Sequence, residues 1–213
     1  VSSDNGFDRT SFLSGDQIKV TRTKKASGTA ASQSASYRYD GTSAWTVVGT
    51  SPVTLEPAVT YSAQFPADYS AINQFQTTSA AYLASNLLKT GDATSSDGTL
   101  DFTSSGKPFT HVNSKLTLKF TVNRETTIAN DAVLVAAAGI RTAVSTNQTI
   151  TLYRPYPVDA SRKYEWCGIL RAVGGSAGTP ATDLTVSLTC DGVTYKATLT
   201  GCALRTGDRK SVV

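Results

Sequence analysis

Between Leu184 and Leu199 the chain alternates apolar and polar residues on both sides of Asp191-Gly192. Leu184, Val186, Leu188 and Cys190 form one apolar row, and Val193, Tyr195, Ala197 and Leu199 the other. A period of two puts each row on one face of an extended strand, which a helix cannot do. The Asp-Gly pair supplies the two positive φ angles of a type I′ turn. An antiparallel hairpin with Cys190 opposite Val193 is therefore predicted, and its apolar face demands a second layer to cover it.

The same punctuation runs along most of the chain. Strands are predicted at 17–22, 35–39, 45–48, 59–65, 116–122, 132–137, 149–153 and 165–172, besides 184–190 and 193–199. Gly15-Asp16, Asp40-Gly41, Gly91-Asp92 and Asp97-Gly98 mark turns between the earlier runs. A weaker strand is predicted at 99–102, inside a polar loop. One segment departs from period two: Tyr82, Leu83, Leu87 and Leu88 fit a short helix of two to three turns with Ser79 as N-cap. Many short strands with frequent turns predict a mostly β protein built of sandwiches. Ser104-Ser-Gly-Lys-Pro108 divides the 213 residues into domains at 1–107 and 108–213, each long enough for a core of its own.

Residue types that carry catalysis are sparse. His111 is the sole histidine and stands at a strand entrance, where one or two hydrogen bonds suffice to explain it. Cys167, Cys190 and Cys202 lack Cys-x-x-Cys spacing, and the hairpin register offers no Cys190–Cys202 bridge, so buried thiols are expected. Glu56, Glu125 and Glu165 are the only glutamates, a thin supply for a two-carboxylate hydrolase. Gly174 to Gly178 lacks the Lys-Ser/Thr ending of a phosphate loop and precedes a strand. No enzymatic activity, metal or cofactor is expected.

Net charge is +4, but Lys and Arg are scattered. The densest run, Arg22-Thr-Lys24-Lys25, has no aromatic platform beside it and reads as a solvated strand end, so no nucleic-acid partner is expected. Trp45, Trp166 and tyrosines 37, 39, 61, 69 and 82 would stack on a sugar if gathered on one face. As strand residues they belong to half-buried core. No apolar run approaches the ~20 residues of a membrane helix.

Several short stretches, in order along the chain, resemble one known family. They are Arg9-Thr-Ser-Phe12-x-x-Gly15-Asp16-x-Ile18-x-Val20, then Tyr37-x-Tyr39-Asp-Gly41-x-x-x-Trp45, then Tyr61-Ser-Ala-Gln-Phe65-Pro66. Gln76 through Leu88 follows, then Phe109-x-His111-x-x-Ser114-Lys115-Leu116, and finally Tyr164 to Arg171 ahead of the hairpin and a Leu204-Arg-Thr-Gly207 turn. The set is similar to fimbrillins, the pilus subunits of Bacteroidales (type V pilins). The resemblance implies two tandem β-sandwich domains of transthyretin-like topology. It also implies a non-enzymatic stalk or accessory pilin of a surface fimbria, polymerising by protease-triggered donor-strand exchange and supporting adhesion.

Implied partners are other fimbrial subunits, in homo- or heteropolymers, and host or bacterial surface ligands. The implied location is the cell surface, with a lipoprotein precursor attached to the outer membrane only through a lipid on a cysteine ahead of Val1. Under the resemblance Phe109, His111, Ser114, Lys115 and Leu116 form a structural motif opening the second domain. Arg9 is the candidate processing site. Val212 and Val213 begin the candidate assembly strand, which in the family runs longer. The competing reading is a secreted carbohydrate-binding β-sandwich module using the tryptophans and tyrosines.

Overall fold

A computed structural model describes residues 11–23, 32–103, 106–123, 125–173, 182–207 and 209–212. The protein is mostly β, with 42% of residues in strands and 5% in helices, as the alternation predicts. Its two compact units do not follow the linear order expected from a break at 107/108. Ser70–Asn86 belongs with the described residues from Val112 onward, and Leu87–His111 with the described residues between Ser11 and Tyr69. Gly106 and Pro108 lie outside any strand, but burial decides membership, and the 70–86 segment buries Ile72, Gln76 and Tyr82.

The first unit is built on a seven-stranded sheet of β1 (Gln17–Arg22), β2 (Gln33–Tyr39), β3 (Trp45–Val48), β4 (Thr60–Phe65), β5 (Leu88–Lys89), β6 (Ala93–Thr94) and β7 (Thr110–His111). The order is β3-β2-β1-β4-β5-β7, with β6 also on β4. Alternation in β1 turns Ile18, Val20 and Arg22 to the buried face, where Val59, Tyr61 and Ala63 join the apolar pair. The layer over this face is not a ladder among the described residues. Pro52 to Glu56 packs against it, with its amides bonded to side chains: Val53 N donates to Tyr37 Oη (2.9 Å), Thr54 N to Gln33 Oε1 (2.9 Å) and Glu56 N to Tyr61 Oη (2.7 Å). The strand expected at 99–102 is reduced to one Ser96–Thr99 bridge, because Asp97 (φ 49°) and Gly98 (φ 72°) turn the chain back at once. Strands β5, β6 and β7 are two residues each, too short to leave a periodic signal.

The second unit is a two-sheet sandwich. Its strands are β8 (Ser114–Lys119), β9 (Val133–Ala138), β10 (Asn147–Thr151), β11 (Glu165–Leu170), β12 (Thr182–Cys190), β13 (Val193–Cys202) and β14 (Arg209–Val212). The sheets are β10-β9-β12-β13 and β11-β8-β14. Val133, Val135, Ile150 and Leu184 from one sheet meet Leu116, Trp166 and Leu170 from the other, and all seven are fully buried. The hairpin forms as predicted, with Cys190 opposite Val193 and positive φ at Asp191 (50°) and Gly192 (76°).

Helix α1 (Ser79–Ala84) is shorter than its spacing suggests. Thr78 rather than Ser79 is its N-cap, its Oγ1 accepting from Ala81 N at 3.2 Å. Ser85 ends it by donating its hydroxyl to Ala81 O at 2.9 Å, so Leu87 and Leu88 lie beyond the helix. Cys167 is buried, whereas Cys190 and Cys202 are only half-buried at strand ends, and none of the three is in a disulfide.

Candidate functional site

The first unit carries a cleft of about 560 Å³ on the apolar face of its sheet. Ile18 and Val20 floor it, Tyr37 and Trp45 wall it on the β2–β3 side, and Leu100 and Phe102 rim it. An incomplete second layer explains the cleft: the 52–56 strap and the loop through 100–103 cover part of the sheet but supply no continuous strand.

An aromatic cluster fixes its shape. Phe12 meets Trp45 edge-to-face at 5.0 Å, Phe109 at 5.2 Å and Phe65 at 5.5 Å, while Tyr39 lies 4.9 Å from Trp45. Edge-to-face contacts add to area burial and set ring orientation. Phe12 is held over the sheet by a tight turn in which Leu13 N donates to Asp16 Oδ2 (2.7 Å) and Gly15 N to Tyr39 O (2.9 Å).

Trp45 is positioned by the β2–β3 turn. The Asp40 carboxylate accepts from the amides of Thr42 (2.7 Å), Ser43 (3.0 Å) and Ala44 (3.1 Å) and from Thr42 Oγ1 (2.8 Å). These bonds, the Thr42 amide first, favour the charged form and bring its pKa down to about 2. Gly41 is required beside it: its φ is +96°, and a Cβ there would stand 2.7 Å from Ser14 Cβ. On the same face of β1, Arg22 is 8% exposed and pairs with Glu56 at 2.5 Å.

Residues singled out in sequence divide between the two units. Phe109 lines the cleft, and His111 pairs with Leu88 between β7 and β5. Ser114, Lys115 and Leu116 open β8 of the second unit; Ser114 Oγ donates to Arg205 O at 3.0 Å, Lys115 is buried and Leu116 fully so. The division into units thus falls inside the motif. Val212 ends β14, which runs parallel to β8 with Val212 opposite Leu118. Arg9, Val213, Lys24, Lys25 and the Gly174 to Gly178 loop lie outside the described residues.

The aromatic residues do not gather on one open face. Tyr61 is fully buried in the first unit, Trp166 and Tyr82 in the second, while Tyr37, Tyr39 and Trp45 collect at the cleft. Each glutamate sits in an ion pair: Glu56 with Arg22, Glu125 with Lys163 and Glu165 with Arg162. Among the described residues no group of three His, Cys, Asp or Glu is placed to hold a metal ion, and no helix is long and apolar enough to cross a membrane. Val53, Leu55 and Leu100 were not legible as site residues, since loop position gives an apolar side chain no periodic signature.

No family model and no curated protein matches the chain. Solved structures do. A fimbrial protein from Bacteroides ovatus aligns with a TM-score of 0.54 at 16% identity, over 95% of this chain and 44% of that one. Candidate cell adhesion proteins from Bacteroides uniformis (TM-score 0.55, 13% identity, 92% of this chain and 80% of that one) and Bacteroides fragilis (0.56, 15%, 96% and 81%) align as well. The chain spans less than half the length of the B. ovatus protein and most of the other two. At such identities the likeness is one of fold, and the chain has the mostly β fold of these Bacteroides fimbrial and cell adhesion proteins.

Proposed function

We propose that this chain is a structural subunit of a bacterial surface fimbria, a stalk or accessory pilin, and that its first-unit cleft receives an extended segment of a neighbouring subunit. The observation that carries this reading is the apolar sheet face with an incomplete second layer. The fold shared with fimbrial and cell adhesion proteins supports it. Polymerisation proceeds by strand exchange after cleavage at Arg9, and the precursor is a lipoprotein of the outer membrane. The partners are other subunits, and the adhesion ligands lie on host or bacterial surfaces.

Magnitudes decide what such a segment must look like. Three apolar side chains buried in the cleft contribute roughly 5–9 kcal/mol. Ordering six residues of backbone costs about 6–12 kcal/mol, so side-chain burial alone does not hold the segment. A main-chain ladder must add to it, each hydrogen bond contributing about 1 kcal/mol. The occupant is therefore an alternating apolar strand rather than a compact apolar ligand.

The test is to treat the secreted precursor with an Arg-specific protease and follow size by electrophoresis without boiling. A ladder of detergent-resistant oligomers that appears only after cleavage is expected. Complete cleavage that leaves monomer alone would overturn the reading, and a glycan array then tests the carbohydrate-binding alternative.

A further inference from the structure

The sheet edges of this protein differ in how they are guarded. On the β11 edge, Tyr153 forms a bridge to Cys167 and the Gln76 side chain bonds the Ile169 backbone. On β10, Thr151 N donates to Gln74 O and Gln76 N to Thr151 O. Strands β3 and β14 are four residues long, and β6 and β7 are two. Short length and capping are the usual defences of an edge.

Strand β13 is long and uncapped, and its guards are one lysine and a register shift against β12 beyond Leu199. It is ten residues long, contains no proline, and carries one charge, Lys196. Its residues from Val193 to Thr198 are exposed on both faces, and among the described residues no main chain pairs along its outer side. The register with β12 tells which groups point outward. A two-residue turn closes on a hydrogen-bonded pair, here Cys190 with Val193. Alternation then turns the main chain of Val193, Tyr195, Ala197 and Leu199 toward β12, and that of Thr194, Lys196 and Thr198 outward; Thr200 follows them outward just ahead of the register shift, since Gly201 N turns back to Asp183 Oδ1 at 2.9 Å.

We propose that β13 pairs antiparallel with β13 of a second copy about a twofold axis through Ala197, joining two four-stranded sheets into one. This register sets Thr194 opposite the partner's Thr200 and Lys196 opposite the partner's Thr198. It uses all four outward residues of each strand in about eight hydrogen bonds. Centring on Lys196 or Thr198 instead forfeits a pair, and centring on Lys196 also sets two ammonium groups against each other. On the core-side face the Ala197 register brings Tyr195, 59% exposed, against the partner's Leu199. The contact is isologous and closes at two copies. It uses no residue of the first-unit cleft, so it stands or falls independently of strand uptake there.

The test is sedimentation equilibrium of the chain over a wide concentration range, with Ala197→Glu and Ala197→Lys made separately. Ala197 is exposed, so both variants should keep the parent thermal midpoint. The expected result is a reversible dimer that each variant abolishes and that returns when the two are mixed, because the axis sets residue 197 against itself. Thr198→Pro serves as a second probe. It removes an outward N–H, leaves the β12 ladder intact, and should also abolish the dimer. A parent chain monomeric at every concentration, a dimer indifferent to these variants, or failure of the Glu and Lys chains to pair when mixed would overturn the proposal.

Discussion

The amide of Gln76 closes two hydrogen bonds on the backbone of Ile169, Nε2 donating to its carbonyl and Oε1 accepting from its N–H, each at 2.8 Å. A single side chain thus does what one residue of a neighbouring strand would do for β11. Gln76 is fully buried, so neither Ile169 group has water as an alternative. The same residue ties its own N–H to Thr151 O, so 74–76 stitches the outer end of β10 to β11 across the sandwich. This pairing draws residues 70–86 into the second unit.

Replacing Gln76 with Ala should destabilise the second unit by about 2–4 kcal/mol, because two buried backbone groups lose their partners. Gln76→Glu should be worse at neutral pH and partly recover in acid, where a protonated carboxyl can again donate to Ile169 O. Denaturant unfolding at two pH values measures both. Equal stability of Gln76→Ala and the parent would show that the bond pair carries no weight.

Arg154 is a buried cation of the second unit, 6% exposed. Its guanidinium lies 4.7 Å from the ring centroids of both Tyr156 and Trp166, and it donates to the carbonyls of Lys163 (3.0 Å from Nε) and Ile128. Burial lowers the pKa of its guanidinium from the ordinary arginine value, and Tyr156 and Tyr164 oppose that shift. Arg154→Lys retains charge but loses the planar fork and the stack. It should therefore cost nearly as much as Arg154→Ala, about 2–4 kcal/mol. Thermal unfolding of the two variants decides the point; full stability in the Lys variant would mean that charge alone matters.

At Gly168, in the middle of β11, an added Cβ would sit 2.4 Å from Leu152 Cδ2, and Leu152 is fully buried. Gly168→Ala should cost about 1–3 kcal/mol by overpacking. Leu152→Val in the Gly168→Ala background should recover part of that loss, whereas alone it destabilises. A double-mutant cycle gives the coupling, and strict additivity would refute the clash.

The Asp40 carboxylate, with its pKa near 2 against an ordinary 3.8, binds protons less readily folded than unfolded. Its contribution is therefore present above pH 3.8 and lost as pH falls from there through about 2. Trp45 follows this turn directly. Its fluorescence in a Trp166→Phe background should stay constant from neutral pH to about 4 and change below. Asp40→Asn should remove that acid transition; an unchanged transition would assign it to another carboxylate.

Regular periodicity made much of this fold legible. Strands β1 and β3 stand where the alternation sets them, and the hairpin keeps its predicted register because Asp191-Gly192 determines it locally. What periodicity could not carry was pairing by a few residues or by side chains. The strands β5 to β7, the 52–56 strap and the Gln76 clamp depend on contacts far apart in sequence. The cleft was legible in fragments: Phe12, Tyr39, Trp45, Phe65 and Phe109 all fall in stretches noted separately, but only tertiary packing brings their rings together. Val53, Leu100 and Phe102 lie in irregular segments, where nothing local distinguishes a lining residue from an ordinary loop apolar.

The central claim is that the first-unit cleft receives a strand, and a charge placed in it tests this most directly. Leu100→Glu and Phe102→Glu, both at the rim, should leave the precursor folded and cleaved by an Arg-specific protease to the same extent as the parent. The account predicts that the cleaved parent forms a detergent-resistant ladder while both variants remain monomeric, since a carboxylate buried beneath the incoming apolar strand costs several kcal/mol. Variants that polymerise as fully as the parent would contradict it and move the assembly site elsewhere on the molecule.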